Sequence, residues 1–222
     1  FWLSYIDALI KEEMYEETRN AIAKGKARGF ASEKLTSLEA RLTQAIDANT
    51  PPTRDLNSLS LHYQAGRYGD AEELATIITR NFPEHPFGWK ILGAVLAQTG
   101  RKFEALNANE KFVELSPDDA EAHNNFGVIL KEVGKLTEAE QSLKKAIGLK
   151  ENFAEAHNNL GVTYKELGRF EDAVQSLKEA IAFKPDYAEA FNNLGGSVLL
   201  KMGRLAEAEL NLKQAISLKP DF

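Results

Sequence analysis

The sequence predicts an all-α chain: an α-solenoid of stacked antiparallel helical hairpins. Three periodic marks carry that prediction. Gly66, Gly100, Gly134, Gly168 and Gly203 each precede a basic residue, at intervals of 34, 34, 34 and 35. Ala71, Ala105, Ala139, Ala173 and Ala208 follow five residues later, with the same intervals. Pro83, Pro117, Pro185 and Pro220 keep the same beat, with Glu151 standing where one proline is missing. A period of this length is one supersecondary unit that cannot bury both its faces alone, so such units come in stacks.

Within residues 154–187, Leu160, Tyr164 and Leu167 recur at steps of four and three, the period of one helical face. Gly168 ends that helix, because glycine readily takes the left-handed conformation. Ala173, Leu177, Ala180 and Ile181 make the apolar face of a second helix. Pro185 stops it, and Asp186 is placed to help cap the helix after it. The small residues Gly161, Ala173 and Ala180 let the helices approach closely.

The same reading divides the chain into a segment 1–50 and five tandem units at 52–85, 86–119, 120–153, 154–187 and 188–222, together residues 51–222. Residues 1–27 read as a degenerate hairpin, with Trp2 at an aromatic position and Tyr15-Glu16-Glu17-Thr18 opening a second helix. An extra helix follows near 32–48, where Leu35, Leu38, Leu42 and Ile46 keep helical spacing and Ser32 is a candidate cap. Asn49-Thr50-Pro51-Pro52 then breaks the chain, as a hinge-like joint or as the end of a rigid linker helix. Unit 52–85 has Leu59 where the others have glycine, and unit 86–119 has Phe112 in place of alanine. The last unit carries one extra residue, placed at Gly195-Gly196, which a π-bulge or a loosened turn would absorb. A functional role for such a bulge and plain sequence drift both remain open.

Composition excludes several classes. The 222 residues are 43% hydrophobic and 27% charged, enough apolar material to fold rather than stay disordered. The formal charge is -6, which argues against a general nucleic-acid binder. Absence of cysteine removes disulfides and thiolate chemistry and is compatible with a cytoplasmic location. No stretch has the roughly 18 apolar residues of a membrane helix, so no membrane insertion is expected. No phosphate-binding or His-Glu-x-x-His pattern occurs, so the chain is expected to be no enzyme and to need no cofactor or metal. It opens at Phe1 and stops at Phe222, which reads as a cut through a longer stack.

Trp89-Leu92-Gly93, and the run from His157-Asn158-Asn159-Leu160-Gly161 to Lys184-Pro185-Asp186-Tyr187, resemble the tetratricopeptide repeat over residues 52–222. That resemblance implies a right-handed superhelix whose first helices line a concave groove. The chain resembles bacterial tetratricopeptide proteins and the repeat region of O-linked N-acetylglucosamine transferases. In proteins of the latter kind an asparagine ladder along the groove holds peptide backbone, an amide offering both donors and an acceptor. Here Asn125, Asn159 and Asn193 are equivalent, Asn57 shares their register, and Asn124, Asn158 and Asn192 precede the first three. The same asparagines also read as repeat consensus bonded within the helix pair. Lys131 and Lys165 lie further along the same helices, but the arginine of a carboxylate-clamping groove has no counterpart. His123 and His157 read as fillers of the aromatic slot of Trp89 and Phe191 rather than metal ligands.

The expected function is therefore a non-catalytic scaffold that binds a protein or peptide in the groove. Two alternatives stand beside it: the repeat arm of a larger glycosyltransferase or sulfotransferase, and a self-assembling scaffold. The second would use Leu212, Ala215 and Ile216 as an uncovered apolar end for a homo-oligomer stacked end to end.

Overall fold

The computed structural model describes residues 1–12, 14–29, 33–48 and 50–220. Among them lie thirteen α-helices, one π-helical segment and no strand. The first three helices are α1 (Trp2–Lys11), α2 (Tyr15–Ala27) and α3 (Glu33–Ala48). Hairpins then follow as α4 (Thr53–Gln64) with α5 (Tyr68–Asn81), α6 (Pro86–Gln98) with α7 (Lys102–Leu115), and α8 (Ala120–Glu132) with α9 (Leu136–Leu149). After them come α10 (Ala154–Glu166) with α11 (Phe170–Phe183), then α12 (Ala188–Asn192), the π-segment Asn193–Leu199 and α13 (Leu205–Leu218). Each hairpin packs on the next, which makes the chain an all-α solenoid.

The periodic residues set the turns. At the end of α10, Gly168 has φ +75° and its N–H donates to Lys165 O at 3.1 Å, while Arg169 N–H donates to Tyr164 O at 2.9 Å. These two bonds close the exposed end of the helix, and the left-handed φ they require is cheap for glycine. The second helices stop where a proline follows, since proline drives the residue before it into extended backbone. Lys184, before Pro185, has φ −137° and ψ 86°. Lys150 adopts nearly the same conformation, φ −142° and ψ 93°, although Glu151 follows it. The stop thus survives the missing proline.

Close packing explains the small residues. A Cβ on Gly161 would lie 2.6 Å from Leu177 Cγ and 3.2 Å from Ala173 O. Gly127 faces Leu143 in the same way, and both leucines are fully buried. Unit 52–85 reverses the sizes: Leu59 is fully buried and shares its core with Ala75, which stands at the position of Leu143 and Leu177. Large and small have changed places with the contact kept. Phe112 is likewise buried.

Helices α1 to α3 enclose a separate core built on Ile6, Leu9, Ile22, Leu35 and Leu38. Trp2 packs on it, but its Nε1 is buried with no hydrogen-bond partner. Ser32 and Asn49 lie outside the described residues. No helix of the described residues is long and apolar enough to cross a membrane.

Two expectations need correction. Asp186 does not cap α12 with its side chain; Tyr187 holds the cap position without a side-chain bond, and Asp186 only accepts Ala188 N–H on its backbone carbonyl. Asp186 sits one residue too early. The capping aspartate is Asp119, whose carboxylate accepts Glu121 N–H at 2.7 Å and Ala122 N–H at 3.3 Å at the start of α8. Nor is Ala215 part of an uncovered apolar end: it is buried, Leu212 is half-buried and Ile216 is exposed, because α13 turns its small face onto α12 and the π-segment.

Candidate functional site

The first helices of the hairpins, α4, α6, α8, α10 and α12 with the π-segment, lie side by side in chain order, and their asparagines meet across the joints. Asn159 Nδ2 donates to Asn124 Oδ1 at 2.9 Å, and Asn193 Nδ2 donates to Asn158 Oδ1 at 2.9 Å. Both bonds span 35 residues, one more than the repeat, because the donor in one unit reaches the residue before its counterpart in the unit preceding. The row is diagonal. Asn124 Nδ2 lies 3.4 Å from Asn125 Oδ1, and Asn158 Nδ2 lies 3.5 Å from Glu189 Oε1, both long contacts.

Burial separates these residues by role. Asn158 is 0% exposed and Asn124 is buried, so their amides serve the stack. Asn125, Asn159, Asn192 and Asn193 are half-buried, and Asn57 on α4 is exposed. Asn125 has no asparagine partner in the preceding unit, since Lys90 stands 35 residues before it and its Nζ pairs with Glu121 Oε2 at 2.7 Å. Glu155, one repeat after Glu121, is held instead by Lys184 Nζ at 3.0 Å. Lys131 and Lys165 are half-buried, with no ion pair to the described residues.

The electrostatics near these asparagines favour uncharged phenols. Burial pushes the Tyr187 phenol well up, with Glu189 and Glu155 adding to it. Burial also raises Tyr63, helped by Tyr68 and Glu121.

The histidines occupy the aromatic slot. Trp89 Nε1 donates to Pro83 O at 2.7 Å; His123 and His157, with the proton on Nε2, donate to Pro117 O at 2.8 Å and Glu151 O at 2.9 Å. The acceptor is a backbone carbonyl, so replacing the proline by Glu151 changes nothing in this bond. Among the described residues no group of three or more histidine and carboxylate side chains is arranged to hold a metal ion.

One residue of this face was missed in the sequence. Between α4, α6 and α8 lies a hollow of about 260 Å³ with Lys90, Ala94, Glu121 and Asn125 among its walls, and Asn109 of α7 also lines it. Asn109 stands where sister units have Leu143 and Leu177, and that comparison of equivalent positions was the signal available. A larger hollow of about 440 Å³, beside Arg19, Lys26 and Glu39, lies on the first three helices, away from the asparagines.

Known proteins resemble the chain along most of its length. A family model described as TPR repeat matches residues 127–168 and 163–195. Models described as tetratricopeptide repeat match 59–120, 108–141 and 188–222, so the matches together run unbroken from 59 to 222. No curated protein matches. Among solved structures, MamA from Desulfovibrio magneticus is 18% identical, with a TM-score of 0.65 over 75% of this chain and 94% of that one. YrrB, described as a TPR protein with an unusual peptide-binding site, is 22% identical, with a TM-score of 0.60 over 81% and 92%. PilW, described as a type IV pilus biogenesis factor, is 20% identical, with a TM-score of 0.69 over 74% and 76%. At these identities the likeness is one of fold.

Proposed function

This chain belongs to the tetratricopeptide-repeat family, and from that premise we propose that it is a non-catalytic scaffold that binds an extended peptide or protein segment along its first-helix face. The observation that carries the reading is the row of half-buried amides at Asn125, Asn159 and Asn193, repeated on consecutive helices. An amide can serve one structural bond and still present a donor or acceptor to a passing backbone, since it has two donor hydrogens and two acceptor lone pairs. Asn159 and Asn193 each use one donor hydrogen in the stack. A backbone in extended form has the matching alternation of N–H and C=O. The peptide-binding site described for YrrB, a protein of the same fold, supports the class of ligand.

The test is selection of unstructured peptides on the chain, followed by titration into the Asn125→Ala, Asn159→Ala, Asn193→Ala triple variant with its helicity checked by circular dichroism. Loss of two or three hydrogen bonds should weaken binding roughly ten-fold or more. Unchanged affinity in a folded variant removes the asparagines from the binding surface.

A further inference from the structure

Asn109 is an anomaly in the core. It is 2% exposed, and a Cβ on Gly93 would lie 2.5 Å from its Nδ2, just as Gly127 and Gly161 press on Leu143 and Leu177. Asparagine and leucine have the same branched outline, so packing does not ask for the amide. Its Nδ2 donates to Ala105 O at 2.8 Å, a carbonyl four residues back in the same helix. No donor among the described residues reaches its Oδ1. Among the described residues that oxygen is not one of the fully sealed polar atoms without a hydrogen bond, so it keeps some exposed surface, and Asn109 is one of the residues that line the hollow. A buried polar group that the fold neither needs nor fully satisfies marks a place where function has overridden stability.

The rest of the hollow defines what would fill it. Ile91, Ala94, Ala97, Val128 and Ile129 make apolar walls, while Lys90 and Glu121, already paired, lie at its polar part. An aliphatic side chain would cover the walls but strand the Asn109 carbonyl without water. A lysine would carry an unpaired charge into an apolar site. A serine would leave the walls uncovered. A phosphorylated side chain would meet Glu121. We propose that this hollow is a specificity pocket for a tyrosine of the bound segment, its ring against the apolar walls and its neutral hydroxyl donating to Asn109 Oδ1. The pocket rests on the groove reading, and it adds to it a side-chain preference at one joint, between the second and third units.

The test uses the full chain and two small probes, N-acetyl-tyrosinamide and N-acetyl-phenylalaninamide, in two-dimensional amide NMR. The tyrosine probe should saturably shift Gly93 and the Asn109 side-chain amide, and the phenylalanine probe should bind roughly five-fold more weakly, the worth of one neutral hydrogen bond. Asn109→Leu should melt at the same temperature or higher and bind both probes equally. Ala94→Phe, which fills the hollow from its wall, should bind neither. Absence of saturable shifts at Gly93, equal affinity for the two probes, or a preference that survives Asn109→Leu each overturns the pocket. If selected peptides still depend on Asn159 and Asn193, the pocket alone falls. If the probes behave as expected but peptides ignore those asparagines, the pocket stands and the groove reading falls.

Discussion

Asn193 donates through Nδ2 to Oδ1 of Asn158 at 2.9 Å, joining the last unit to the one before it through a residue with no exposed surface. Replacing Asn158 by alanine removes the acceptor of that half-buried donor, at a fully buried position between the two units. A cost of about 1–3 kcal/mol is expected for leaving such a group unsatisfied. Asn125→Ala, whose amide makes only a long contact with Asn124, should change stability by less than about 0.5 kcal/mol. Urea denaturation of the two variants checks the contrast; equal midpoints would refute the division between structural and free amides.

The exchange of sizes at Leu59 and Ala75 predicts a strong coupling. Leu59→Gly alone opens a cavity and should cost about 2–5 kcal/mol. Ala75→Leu alone overfills the same space, at about 1–3 kcal/mol. The double change restores the arrangement of Gly161 with Leu177 and should recover most of both losses. A double-mutant cycle in denaturant that shows simple additivity would mean the two positions do not share one packing site.

Acid should loosen the joint between the third and fourth units. Burial opposes ionisation of Glu140, but hydrogen bonds from Lys144 and Arg169 outweigh it and hold its carboxyl below the ordinary value of about 4.5. Tyr164 also donates to the same carboxylate, at 3.3 Å. A depressed folded value means the contribution is full above pH of about 4.5 and is lost as pH falls through the folded value. Glu140→Gln should therefore flatten the decline in stability on the acid side, measured as denaturation midpoints from neutral pH downward. A decline as steep as that of the parent would assign it to other carboxylates.

Deleting Gly196 should be tolerated. With it removed, Ser197, Val198, Leu199 and Met202 fall in the positions of Val162, Thr163, Tyr164 and Leu167, and Val198 and Leu199 already pack in the core as Tyr164 does. The deletion converts a π-segment to regular helix and removes a helical glycine, so the thermal midpoint should rise by the equivalent of about 1 kcal/mol. A fall would show that the extra residue is needed by the packing around it.

Most of the solenoid was legible because its signals are steric and local. Gly168 is required by a left-handed backbone, Ala173 and Gly161 by close approach, and Pro185 by the stop it imposes. Even the extra residue could be placed, since a single insertion in a strict period has to be absorbed within the unit that carries it. What the period concealed was anything running between units out of phase with it. The bonds from Asn159 to Asn124 and from Asn193 to Asn158 skip 35 residues, so aligning equivalent positions set the partners in separate columns. Asn109 escaped for another reason: its shape is that of the leucine it replaces, and only its chemistry differs. The misplaced cap at Asp186 came from a one-residue offset that depends on where the turn actually ends.

The π-segment carries a wider meaning for how such chains are assembled. It behaves like a dislocation that anneals within a single layer of a crystal: one surplus residue enters at Gly196, and by Gly203 the left-handed turn, φ +71°, matches those of the earlier layers. Chain length and layer spacing are thereby uncoupled. A duplicated gene segment that arrives one codon too long can still be laid down as another course in the same wall.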